Sequence, residues 1–171
     1  MATSGEAMAF LNMARKYQKA GSRLLDSIEG DKADPKRALS DPIYFLFAHT
    51  LELAFKAFLL LFRGEVIPTS GRAGHDIVEL QRQCAALGLR LKEDADSLPR
   101  IVTMLASENE HHGFRYFDPV KGNNGVIPAL TWTCDVVNAL IAVIREQLGD
   151  TTPAGPVKVQ FIADKPSARD S

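Results

Sequence analysis

The chain has 171 residues, 46% of them hydrophobic, with 20 basic and 21 acidic residues and a net charge of −1. That length suits one domain able to bury a sizeable core, and the composition excludes a disordered, collagen-like or disulfide-scaffold chain. The even charge balance excludes a chain-wide positive field for nucleic acid and leaves room only for local patches. Cys84 and Cys134 stand singly, with no CxxC pair and no disulfide spacing. They read as reduced, buried thiols of a cytoplasmic protein. The start MATSGEAMAF has no basic stretch followed by a long apolar run, so no signal peptide is expected.

Residues Glu6 to Ile28 carry the first helical pattern. Phe10, Ala14, Tyr17, Gly21, Leu24 and Ile28 recur in steps of four and three, on one stripe, with Ser4 available as a cap and Gly30 after the end. Arg15, Lys16, Lys19 and Arg23 occupy the other side, as a solvated face or a small phosphate-contacting strip. The segment GDKADPKRALS, residues 30–40, is polar and contains Pro35, and reads as a loop with at most one helical turn. Asp41 then caps a second helix whose first position is Pro42. This helix runs to Phe62 and is apolar nearly all round, which predicts the buried middle of a bundle.

Its twenty residues from Ile43 to Phe62 also fit a membrane span by length. His49, Glu52 and Lys56 sit near the centre, and each charge there costs about 2.5–3.5 kcal/mol on insertion scales. Glu52 and Lys56 are four apart in the better orientation for a helical ion pair, so a core helix is expected and no membrane partner.

After the turn-rich GEVIPTSGRAG, a third helix presents Ile77, Leu80, Cys84 and Leu87 and stops at Gly88. The fourth starts between Asp94 and Ser97, carries Pro99 in its first turn, and turns Leu98, Ile101, Val102 and Leu105 inward. GFRYFDPVKGNNGVIP, residues 113–128, is aromatic and turn-rich, predicting a short extended or hairpin element near 114–128. The last helix spans Leu130 to Leu148, with Val136, Val137, Leu140, Ile141 and Ile144 for packing. The expected architecture is an all-α, up-and-down bundle of about five helices over residues 1–150. Residues 151–171 form a tail, with Val157 to Ile162 able to add one edge strand.

The strongest candidate site is the polar stripe of the second helix, His49, Glu52, Lys56 and Arg63. A buried Glu52 or Lys56 needs a partner. Each serves the other, and His75 and Arg115 lie in segments that return to the bundle. Glu52, Lys56, His75 and Arg115 are therefore the candidate ligand-binding residues, with a register-fixing ion-pair network as the structural alternative. His49-x-x-Glu52 and Glu108-x-x-His111 place His and Glu on one helical face, but the first is reversed relative to the di-metal bundle pattern and further inward carboxylates are missing. No metal and no cofactor is expected. Gly71-Arg72-Ala73-Gly74-His75-Asp76 leads into a helix start, where it either receives an anion or simply shapes and caps the helix. No GxSxG, GxxxxGK[ST] or GxGxxG motif is present.

The run His49-Thr-Leu-Glu52-Leu-Ala-Phe-Lys56-Ala-Phe-Leu-Leu, then Gly74-His75-Asp76-Ile-Val-Glu-Leu, then Arg115-Tyr116, resembles the HEPN superfamily of small helical bundles, over roughly residues 6 to 148. The resemblance implies an up-and-down bundle, frequent pairing as a homodimer, and for many members metal-independent RNA cleavage in bacterial toxin–antitoxin or defence systems. Other members are non-catalytic binding or scaffolding domains. Active members carry an Arg followed, after four to six residues, by a His. No histidine here has an Arg at that distance, and Arg72 to His75 is too short. Family activity therefore does not carry over. The resemblance implies a non-catalytic domain that binds a nucleotide, RNA or a protein partner such as a nucleotidyltransferase. The alternative is a ribonuclease with a substitute site of His111, His112 and Arg115, which could supply a base for the 2′-hydroxyl and a cation for the phosphate.

Overall fold

The structure is a computed structural model that describes residues 4–29, 35–64, 75–91, 95–109 and 128–149. Among the described residues five helices form: α1 (Ser4–Glu29), α2 (Pro35–Arg63), α3 (Ile77–Ala86), α4 (Ser97–Asn109) and α5 (Leu130–Gln147). Among the described residues there is no strand, so the all-α bundle follows from the sequence as expected. The hairpin expected near 114–128 and the strand expected at Val157 to Ile162 lie outside the described residues.

The most apolar helix, α2, is the middle of the molecule and packs against each of the other four. Phe47, Leu51, Phe55, Phe58 and Leu59 are all but completely buried along it. It is the one described helix long and apolar enough to cross a bilayer, and here most of that stretch is covered by the rest of the bundle. The longest packed seam is between α1 and α2, with α5 lying against both. Gly21 is what lets that seam close. A Cβ built there would come within 2.7 Å of the Phe47 ring.

Three sequence expectations are corrected. Helix α2 does not begin at Asp41 but continues back to Pro35, so Pro42 lies inside the helix and Asp41 is not its cap. Proline is compatible with helical φ, but Pro42, the eighth residue of α2, lacks the N–H that would bond four residues back, so the helix runs through it with one backbone bond missing. The buried line of α1 is rotated relative to the expected stripe. Ala7, Leu11, Ala14, Leu25 and Ile28 face inward, while Phe10, Tyr17 and Leu24 pack at its margin. Gly21 lies on this buried line, where the chain packs against Phe47. Leu87 is not on the buried face of α3. It is the C-cap residue and is exposed, and the turn at Gly88 (φ +94°) sends Leu89 and Leu91 into the core instead. Arg90 closes that end by donating to the Ala85 and Leu89 carbonyls, each at 2.7 Å.

The inward faces of α4 and α5 are as expected. Leu98, Ile101, Val102 and Leu105 are buried on α4, and Val136, Val137, Leu140, Ile141 and Ile144 on α5. Trp132 ties the two together by donating from Nε1 to Ser97 Oγ at 3.3 Å, with the Arg100 guanidinium 5.5 Å over its ring. Tyr44 donates from its hydroxyl to the Pro128 carbonyl, fixing the entry to α5 against α2. Burial, with the Asp41 charge nearby, raises the Tyr44 phenol to about 12. Both cysteines are free and buried, and burial raises the Cys84 thiol to about 12 despite Arg63 nearby.

Candidate functional site

Helical periodicity brings His49, Glu52 and Lys56 onto one side of α2, and packing then encloses them. Glu52 is 5% exposed and Lys56 is 2% exposed. Lys56 Nζ donates to Glu52 Oε1 at 2.8 Å, the helical pair expected from the four-residue spacing. A buried carboxylate and a buried ammonium in contact cancel each other's charge, and neither could be left there alone without a large desolvation penalty.

The same oxygen, Oε1, lies 3.0 Å from His75 Nδ1. His75 arrives from the far side of the α2–α3 connection, immediately before Asp76, the N-cap of α3. A carboxylate only accepts, so Nδ1 of His75 carries the proton of this bond. The His75 side chain is 48% exposed, against 7% for Glu52, so the imidazole bridges the buried pair and the surface. His49 flanks the other oxygen. Its Nδ1 stops 3.7 Å from Oε2, beyond hydrogen-bond reach, and that buried ring nitrogen has no hydrogen-bond partner. The His49 ring is held instead by packing, with Tyr17 of α1 edge-on at 4.5 Å and Phe45 stacked at 6.1 Å. Burial pushes the Glu52 carboxyl up. The adjacent His49, the bond and charge of Lys56, and the bond from His75 together outweigh it, holding Glu52 at about 2. The carboxyl is thus ionised throughout the physiological range.

The start of α3 is already occupied. Asp76 Oδ1 accepts from the backbone N–H of Val78 at 3.1 Å and of Glu79 at 3.0 Å. The glycine-rich approach to α3 therefore ends in a self-capped helix. Arg63, expected on the polar stripe, leaves it at the end of α2 and donates to Gln83 Oε1 at 2.7 Å.

The structure thus brings together three of the residues singled out on the sequence, Glu52, Lys56 and His75. The fourth, Arg115, lies outside the described residues, as do His111 and His112. Among the described residues no three His, Cys, Asp or Glu side chains are grouped to hold a metal ion. Sequence reasoning placed His49 on the polar stripe but not among the ligand-binding residues, and it overlooked Tyr17 as its neighbour. The signal was present, since Tyr17 stood on the helical stripe, but nothing in spacing alone says which residue of another helix meets it. A second polar seam, between α1 and α5, was also invisible. There Gln18 Nε2 donates to Asn138 Oδ1 at 2.5 Å, and Cys134 Sγ receives Asn138 Nδ2 at 3.5 Å and lies 3.4 Å from Ser22 Oγ.

No family model matches the sequence, and neither a curated protein nor a solved structure matches the chain.

Proposed function

We propose that the chain is a non-catalytic, HEPN-like helical domain that binds a nucleotide, RNA or a protein partner where His75 reaches the surface. One observation carries this reading. A buried Glu52–Lys56 pair, placed on the most apolar helix, holds a half-exposed imidazole in a single orientation. An ion pair kept only for stability gains little over well-packed apolar residues of the same volume. An oriented, solvent-facing histidine is a recognition group. Lys56 is committed to Glu52 and buried, so contact with a ligand falls to His75, with Glu52 and Lys56 positioning it. The resemblance of the His49-x-x-Glu52-x-x-x-Lys56 and Gly74-His75-Asp76 segments to HEPN domains supports a nucleotide or RNA ligand, a homodimer, and a toxin–antitoxin or defence setting.

The test is equilibrium binding of the full chain to labelled mixed-sequence RNA and to nucleotides, with His75→Ala as the comparison. Binding by the native protein that weakens in the variant supports the reading. Incubation with the same RNA in chelator is expected to leave it intact. Cleavage that a His111/His112 double variant loses would replace binding by ribonuclease activity.

A further inference from the structure

Four cations of α1 that play no part in the site above form a surface of their own, and we propose that the flank of α1 bordering α5 holds the phosphate backbone of a nucleic-acid strand. This surface is separate from His75. Tyr17, which meets His49, lies roughly 200° around the helix from Lys19, so the two surfaces occupy opposite flanks of α1.

Charge is segregated along the chain. From Ala7 to Leu25, α1 carries Arg15, Lys16, Lys19 and Arg23 and no acidic residue. The whole chain has a net charge of −1, so the remainder without these four stands at −5. Arg15, Lys19 and Arg23 recur every four residues, a row about 12 Å long on one flank. Like charges four apart on a helix repel, so the row costs stability and is not explained by the fold. Lys16 and Arg23 are exposed, and neither has an ion-pair partner among the described residues.

Across the seam, Gln18 bonds Asn138 and Ser22 meets Cys134, which sets α5 antiparallel to α1 with steps of four in both. Arg145 lies seven residues beyond Asn138, on the same face of α5, and comes level with Leu11, just past Arg15. It extends the row. Asp26 and Asp135 border the Arg23 end, and Glu6 and Glu146 the other, which leaves Arg15, Lys16 and Lys19 at the positive centre. A protein–protein contact is built on an apolar or aromatic centre depleted of charge, and a membrane-surface helix on a free apolar face. Here the apolar line of α1, with Leu11, Ala14 and Leu25, is buried in the bundle, and the cations stand beside the polar groups Gln18, Ser22 and Asn138. Cations beside neutral hydrogen-bonding groups are the composition of a nucleic-acid contact.

The experiment measures binding of the full chain to labelled mixed-sequence single-stranded RNA, to DNA of the same sequence and to poly-glutamate, between roughly 50 and 200 mM salt. RNA and DNA are expected to bind alike, because phosphate is the group read, and poly-glutamate several-fold more weakly. Four phosphate contacts give a slope of log affinity against log salt of about −2.8. Lys16→Gln combined with Arg23→Gln should flatten that slope by about 1.4, with thermal melting unchanged or raised because repulsion is relieved. Asp135→Asn should tighten binding, since it removes a negative charge from the border of the strip. His75→Ala should leave the slope as it is. Affinity and slope unchanged in the double variant, poly-glutamate bound as tightly as either strand, or no binding of either strand overturns the inference. Loss in His75→Ala alone also overturns it and supports the reading above, whereas loss in the double variant alone supports this surface and removes His75.

Discussion

At the scale of single residues, the decisive feature is that Glu52 has more partners than its charge requires. Lys56 neutralises it, and His75 adds a directed hydrogen bond from outside. The two partners should therefore respond differently to substitution. Lys56→Met leaves a buried carboxylate with His75 as its one side-chain hydrogen-bond donor among the described residues, and is expected to destabilise the fold by about 3–5 kcal/mol in urea unfolding. Adding Glu52→Leu to that variant should recover most of the loss, because the stranded charge is removed with its partner. His75→Ala should cost far less, since the ion pair remains. Acid should act through the same group. Glu52 has a folded value of about 2 against an ordinary 4.5, so the unfolded chain binds the proton more readily than the folded one. The stability it confers is complete above pH 4.5 and is lost as pH falls towards 2, a change on the order of 3 kcal/mol. Stability measured across that window should flatten in Glu52→Gln. Glu79 is also lowered to about 2, by its bonds to Arg82 and Gln83, but it lies half exposed at the surface of α3. Glu79→Gln should leave the slope nearly intact, because solvent and salt screen exposed pairs.

At the scale of elements, the bundle depends on how closely α1 approaches α2. Gly21 sits against the Phe47 ring. Elsewhere in a helix, Gly→Ala would raise helix propensity by about 1 kcal/mol. Here the added methyl meets a fully buried aromatic ring, and overpacking of this kind costs about 1–3 kcal/mol. Gly21→Ala is therefore expected to lower the melting temperature, and Phe47→Leu in the same chain should lessen the penalty by making room. A Gly21→Ala variant as stable as the native protein would show that the seam opens without cost. The sequence showed the stripe that contains Ala14, Gly21 and Ile28, but it also placed Phe10, Tyr17 and Leu24 on it and left out Leu11 and Leu25, because periodicity alone does not say about which line a neighbouring helix crosses.

At the scale of the whole molecule, one buried helix packed among the four others described leaves a few large apolar groups outside. Met13 of α1 and Phe62 of α2 are nearly half exposed, as is Val78 of α3. The homodimer proposed above would cover such groups, and sedimentation is expected to show a species of twice the chain mass that dissociates on dilution. Substituting Met13 and Phe62 by Glu should shift it to monomer if those helices form the contact. A monomer at all concentrations would remove the pairing from the proposal. The sequence by itself determined the class of fold, because five apolar periodicities, a continuous apolar second helix and the Glu52–Lys56 spacing are local properties that survive any arrangement of helices. It also determined that Glu52 and Lys56 would need each other, since charge cannot be buried singly. Only the tertiary structure decided that His75, one of the two partners the sequence offered, reaches the pair, while the other, Arg115, lies outside the described residues. It also decided that Tyr17 meets His49, and that Asp76 consumes the helix start that glycine-rich spacing offered to an anion. Those outcomes depend on where a connection returns and how closely two helices cross, and these are distances between residues far apart in the chain that no periodicity records.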